Sequence, residues 1–106
     1  MSFPVSASLL NAMVLSVVNK EDTYGYEITQ YLRHAVDVSE STLYPVLRRL
    51  QKSDLLETYD KEYMGRNRRY YRVTQKGHTA LNEYRNEWIQ HKSKVDSILM
   101  NEGEEQ

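Results

Sequence analysis

Five hydrogen-bond donors fall within the stretch STLYPVLRRL at 41–50: Ser41, Thr42, Tyr44, Arg48 and Arg49. Leu43, Leu47 and Leu50 separate them at helical spacing, so a helix here buries one face and crowds the donors onto the other. Hydroxyl and guanidinium groups with no carboxylate among them suit a surface rich in acceptors, such as phosphate oxygens and the edges of nucleic-acid bases. Pro45 sits with the donors. It removes one backbone hydrogen bond and crowds the preceding turn, so the helix is expected to open irregularly or with a slight bend. A second run of donors follows, where Arg66, Arg68, Arg69, Arg72 and Lys76 occur with no acid between them.

The charge of the whole chain hides this. Net charge is −1, but residues 41–76 hold nine Lys/Arg against four Asp/Glu. The flanking stretches are acidic, with two against five over 1–40 and three against six over 77–106. Positive charge concentrated in the middle third can act as a local basic surface despite the near-neutral total. The chain has 106 residues, enough for one domain with a modest core. It has no cysteine, which removes disulfides and thiolate chemistry and fits a reducing cytoplasm. No apolar run approaches the ~20 residues of a membrane span. The opening segment lacks the basic start of a signal peptide and is periodic, so it reads as a helix of the mature fold.

The elements that must position the donors follow from spacing. Val5, Leu9, Met13, Val14, Val17 and Val18 predict a first helix over 5–19. Asp22 or Thr23 is expected to cap a second helix running through YGYEITQYLRHA at 24–35, with Ile28, Leu32 and Ala35 on its buried face. Ser39 is the expected N-cap of the third helix, with Glu40 favoured in its first turn by the helix dipole. LLETYDKEY and RRYYRVT then switch to strand composition around MGRNR, predicting a hairpin whose turn Gly65 and Asn67 supply. Arg69 and Arg72 are expected to line the sheet. Thr74 caps the last helix, whose first turn Gly77 weakens by about 1 kcal/mol.

That last helix, about 76–102, places Leu81, Tyr84, Trp88, His91, Val95 and Ile98 at steps of three and four, the spacing of a two-helix seam. It is longer than so small a domain needs, so a homodimer is expected, with packing on the chain's own first helix as the competing use of the stripe. Residues 103–106 read as a frayed tail. His34, His78 and His91 are scattered without ligand spacing, so no metal is expected. No Ser-His-Asp order, glycine-rich phosphate loop or convergent carboxylate pair is present, and no enzyme or cofactor is expected.

Three helices followed by a hairpin describe a mainly α winged helix-turn-helix, in which the third helix enters the DNA major groove and the hairpin, or wing, lies along the backbone or in the minor groove. At three places the sequence resembles the PadR family of bacterial transcriptional regulators in its small form: YGYEI at 24–28, STLYPVLRRLQKSDLL at 41–56 and GRNRRYYRVTQKG at 65–77. One departure is Ser53-Asp54, where the family usually has Asp-Gly before the first strand. The resemblance implies a homodimer that binds a palindromic operator, usually as a repressor, and several relatives respond to small aromatic molecules. It implies that Tyr24 and Tyr26 contact phosphate, that Thr42, Tyr44 and Arg48 meet the groove beside Ser41, Pro45 and Arg49, and that Arg66, Asn67 and Arg68 serve the wing. The last helix would exchange contacts with its mate and with the mate's first helix, through Val5, Leu9 and Met13 and the seam residues.

Residues 1–76 are thus expected to form the DNA-binding domain, and 77–102 a dimerisation helix packed on it. Trp88, with Tyr84, has two readings: a platform on which a flat effector stacks, or an interface anchor, which is preferred. A rival function is a winged-helix module whose basic face docks an acidic protein partner, because fold alone does not give function. The expected location is the cytoplasm.

Overall fold

The computed structural model describes residues 3–101. Ser6 starts the first helix by accepting a hydrogen bond from the Leu9 amide, and α1 runs Ala7–Lys20. Val5 therefore lies outside the helix expected over 5–19, half-buried against the core. The next element was not foreseen. Thr23–Tyr24 form a short strand, β1, paired antiparallel with the later hairpin as Thr23↔Tyr71 and Tyr24↔Tyr70. Neither Asp22 nor Thr23 caps the second helix. The N-cap of α2 (Gly25–Leu32) is Tyr24, which makes no side-chain cap bond. Asp22 instead accepts a hydrogen bond from the Tyr59 hydroxyl at 2.8 Å. The helix also ends three residues earlier than expected, leaving Ala35 exposed in a turn.

Ser39 caps α3 (Glu40–Lys52), its hydroxyl accepting from the Thr42 amide at 3.3 Å. The helix runs without a break through Pro45. The bond that proline removes would have gone to the Ser41 carbonyl, four residues back on the exposed side, where water can serve the oxygen. Leu43, Val46, Leu47 and Leu50 are buried. The end of α3 explains the departure at 53–54. Asp54 takes the left-handed conformation, φ 65°. Its amide donates to the Gln51 carbonyl and the Leu55 amide to the Leu50 carbonyl, at 3.0 and 2.8 Å. This is a Schellman stop, whose left-handed residue is usually glycine. An aspartate is among the few other residues that accept that geometry.

β2 (Leu56–Tyr63) and β3 (Arg66–Val73) form the wing, in register from Leu56↔Val73 to Tyr63↔Arg66, and the three-stranded sheet has the order β1-β3-β2. The turn consists of Met64 and Gly65, both with positive φ, 53° and 78°. Two central residues with positive φ make a turn of the twist a two-residue hairpin needs. Asn67 is thus not a turn residue; it sits in β3 opposite Glu62.

Thr74 caps α4 (Gln75–Leu99), accepting from the Gly77 amide at 2.9 Å. Gly77 is required by space as well as being a weak helix former. A Cβ there would come 2.2 Å from the Leu55 carbonyl oxygen. The core joins Leu10, Val14, Leu15 and Val18 of α1, Ile28 and Leu32 of α2, the four apolar residues of α3, Leu56, Tyr71 and Val73 of the sheet, and Leu81 of α4. The result is the winged helix-turn-helix with a long C-terminal helix expected from the order of elements. The molecule measures 63 × 31 × 20 Å. Most of α4 lies past the core. The expected frayed tail at 103–106 falls outside the described residues.

Candidate nucleic-acid interface

α3 advances about 100° per residue, which sorts its exposed side chains into three rows. Tyr44, Arg48 and Gln51 form the row nearest the wing, and they line a cleft with Tyr24, Gly25, Tyr26, Arg66, Arg68, Arg69 and Tyr71. Ser41, Pro45 and Lys52 occupy the middle. Thr42 and Arg49 take the far edge. Thr42 borders a different hollow, beside the α2–α3 connection and the N-terminal segment. Arg49 donates through Nη2 to Asn11 Oδ1 on α1 at 3.4 Å. The paired arginines therefore diverge, Arg48 toward the wing and Arg49 toward α1. Ser41 and Thr42 are both within hydrogen-bond distance of the Ser39 hydroxyl, at 2.9 and 3.1 Å, and both stay exposed.

Tyr44 is held by the backbone beneath it. Its ring lies against Gly25, where a Cβ would stand 2.8 Å from the ring and from the hydroxyl. The glycine of the Tyr-Gly pair is thus the floor on which the α3 tyrosine rests. Tyr26, next along α2, is half-exposed at 51%.

The wing carries its aromatic and cationic residues on its outer face. Because strand side chains alternate, Tyr59, Lys61 and Tyr63 of β2 share that face with Arg68, Tyr70 and Arg72 of β3 and with Tyr24 of β1. Tyr59 stacks on Tyr70 with ring centres 5.7 Å apart, and Tyr70 meets Tyr24 at 5.5 Å. Cations rest on these rings. The Arg68 guanidinium lies 4.4 Å from the Tyr24 ring and 4.7 Å from that of Tyr63, Lys61 lies 5.1 Å from Tyr70, and Arg72 lies 4.8 Å from Tyr59. Arg72 also ion-pairs with Glu57 at 2.8 Å, which raises its pKa further. Arg69 faces Asp60 across the ladder at 4.0 Å. Both line the sheet as expected, although Arg69 borders the cleft as well.

Three tyrosines have their hydroxyls held protonated. Desolvation raises the pKa of Tyr24 and is partly offset by the nearby Arg68 charge. Hydrogen bonding to the Asp22 carboxylate raises that of Tyr59. Burial raises that of Tyr71.

Gln51, Lys52, Lys61 and Tyr63 were not singled out in the sequence. Gln51 was within reach, being seven residues from Tyr44 and three from Arg48 on one helical row. Lys61 and Tyr63 needed the strand register. Among the described residues, no group of His, Cys, Asp or Glu is placed to hold a metal ion.

The seam residues divide. Leu81 is buried in the chain's own core at 2% exposure, so it has almost no surface to offer a partner. Tyr84 is half-buried, its hydroxyl accepting from Asn11 Nδ2 at 3.4 Å. Trp88, Val95 and Ile98 remain open at 45%, 36% and 81%. Trp88 leans toward His91, and both line a shallow hollow with Ser8, Leu9, Ala12 and Tyr84 between α1 and α4. Met13 packs against the core from α1.

A helix-turn-helix whose third helix and wing share one basic, aromatic cleft has the winged-helix fold. The model of the transcriptional regulator PadR-like family matches residues 14–83, and the chain belongs to that family. A crystal structure from Streptococcus mutans is 39% identical and superposes with a TM-score of 0.89 over all of both chains. A PadR-like transcriptional regulator from Bacillus cereus is 36% identical with a TM-score of 0.79, covering 90% of this chain and 93% of that one. The Bacillus subtilis PadR in complex with operator DNA is 21% identical with a TM-score of 0.65, covering 72% of this chain and 46% of that one, and shares the fold. Among the described residues, no helix is long and apolar enough to cross a membrane.

Proposed function

We propose that this regulator binds double-stranded operator DNA as a homodimer and acts as a repressor in the cytoplasm. The observation that carries the reading is the joining of the α3 row Tyr44–Arg48–Gln51 with the wing's arginines in one cleft. An α-helix fits the major groove, and side chains at its centre reach base edges. Ser41, Tyr44, Pro45 and Arg48 take that position, with Thr42 and Arg49 meeting phosphates at the far edge. Tyr24, Tyr26, Arg66, Asn67 and Arg68 flank the groove on the wing side. The Bacillus subtilis relative's complex with operator DNA supports this use of the fold.

The open stripe of Trp88, Val95 and Ile98 supports dimerisation through α4, with Leu9 of α1 beside it and Val5, ahead of α1, and Met13 as further contacts for the partner copy. His91 and Tyr84 border the same surface. A two-fold dimer presents its recognition helices to an inverted repeat, so the operator is palindromic. The hollow beside Trp88 accepts a small planar aromatic effector, stacked on the indole and reaching Tyr84.

Fluorescence anisotropy against the promoter fragment of the chain's own gene, with a scrambled control and several salt concentrations, tests the proposal. Promoter-selective binding with a steep salt slope is expected. If about four cations per protomer neutralise phosphates, a dimer gives a slope near −7. Weak binding without preference at physiological salt would instead favour an acidic protein partner for the basic face.

A further inference from the structure

The structure assigns Arg68 a part that its place in the wing conceals: it is a positioning residue that clamps the free half of the wing to the start of α2. This rests on the DNA-binding reading but concerns how the wing is aimed.

β1 supports the hairpin only at Tyr70 and Tyr71. Beyond that point, from Arg69 to Arg66 and from Asp60 to Tyr63, the wing is a two-stranded ribbon. Such a ribbon is marginally stable by itself. Arg68 belongs to this unsupported half, yet its guanidinium reaches back to Tyr24, the N-cap of α2, while its other flank meets Tyr63 at the end of β2. One planar cation thus bridges a ring on the body of the protein and a ring on the ribbon.

Charge explains why it stays there. Arg68 is paired in register with Lys61, and like charges directly opposite one another repel. Each turns onto aromatic rings, Lys61 toward Tyr70 and Arg68 toward Tyr24 and Tyr63. Arg69 and Arg72 have carboxylate partners across the ladder. Among the described residues Arg68 has none within ion-pair distance, so its partners are the two rings. A guanidinium stacks on such faces better than an ammonium does. The half-buried Arg68 contrasts with exposed Arg66, two residues nearer the tip, which rests on no ring among the described residues. Arg66 is the phosphate ligand and Arg68 sets the angle from which Arg66 approaches.

The test compares salt slopes of operator binding for the full chain and for Arg66→Ala, Arg68→Ala, Tyr63→Leu and the Arg68→Ala/Tyr63→Leu double variant. Removing one phosphate ligand from each protomer of the dimer flattens the slope by about 1.8, or about 0.9 per protomer. Arg66→Ala is expected to do so. Arg68→Ala is expected to weaken binding about tenfold with less than half that change in slope, and Tyr63→Leu added to it to cost less than about twofold more, as coupled residues do. A slope loss for Arg68→Ala equal to that of Arg66→Ala, with additive effects of Tyr63→Leu, would overturn the assignment. Amide hydrogen exchange in the DNA-free protein supplies an independent readout. Arg68→Ala and Tyr63→Leu should both speed exchange across residues 60–69 while Arg66→Ala does not, and unchanged exchange in both would sink the clamp even if DNA binding fails for every form.

Discussion

α3 and α4 are amphipathic helices of one chain put to opposite use. α3 has 13 residues and buries Leu43, Val46, Leu47 and Leu50 along its whole length. α4 has 25 and buries only Gly77 and Leu81, both near its start. The core thus grips α3 from end to end and α4 by one end. A helix held throughout presents its outer face at a fixed height and angle, as reading a groove demands. One held at its start leaves an open apolar stripe that water does not favour, and this is the physical basis for placing a second copy there.

The sharpest way to break the contrast is to cut into each stripe in turn. Leu47→Ala should cost about 3 kcal/mol of unfolding free energy, measured by chemical denaturation, at any protein concentration. Ile98→Asp should instead lower the melting temperature only where the dimer forms, and convert the species seen by sedimentation to monomer, because subunit binding stabilises by mass action. Equal losses at high dilution would mean that the two helices are held alike. Gly77→Ala probes the single grip on α4. The added methyl group meets the backbone oxygen of Leu55, so a net loss of about 1–2 kcal/mol is expected despite alanine's better helix propensity.

Smaller effects sharpen the account of α3. Tyr44→Ala should reduce affinity by about 1 kcal/mol or more on operator and by less on random DNA, read by the same anisotropy titration. Equal losses would remove Tyr44 from base reading. Gly25→Ala should mimic it, because the new methyl group displaces the Tyr44 ring while leaving the fold intact. Asp54→Gly should stabilise by less than about 1 kcal/mol, since glycine takes the left-handed stop without the Cβ penalty. Destabilisation there would show that the aspartate contributes a contact of its own.

The sequence by itself determined the order of the four helices and the hairpin, the buried leucines of α3, the caps at Ser39 and Thr74 and the concentration of basic residues in the middle third. These depend on periodicity and on bonds within a few residues, which a linear chain displays. Tertiary structure alone decided the rest. Thr23 and Tyr24 are both strand formers, but a run of two is too short to read in a sequence, and they become β1 because β3 offers an edge. Arg48 and Arg49 are neighbours in sequence but part by about 100° on the helix, so only the packing of α1 and the wing gives them different surroundings. Gly77 looked like a weak spot until the Leu55 carbonyl appeared beside it. The contact of Arg68 with Tyr24 joins residues more than forty positions apart, and no local pattern encodes it.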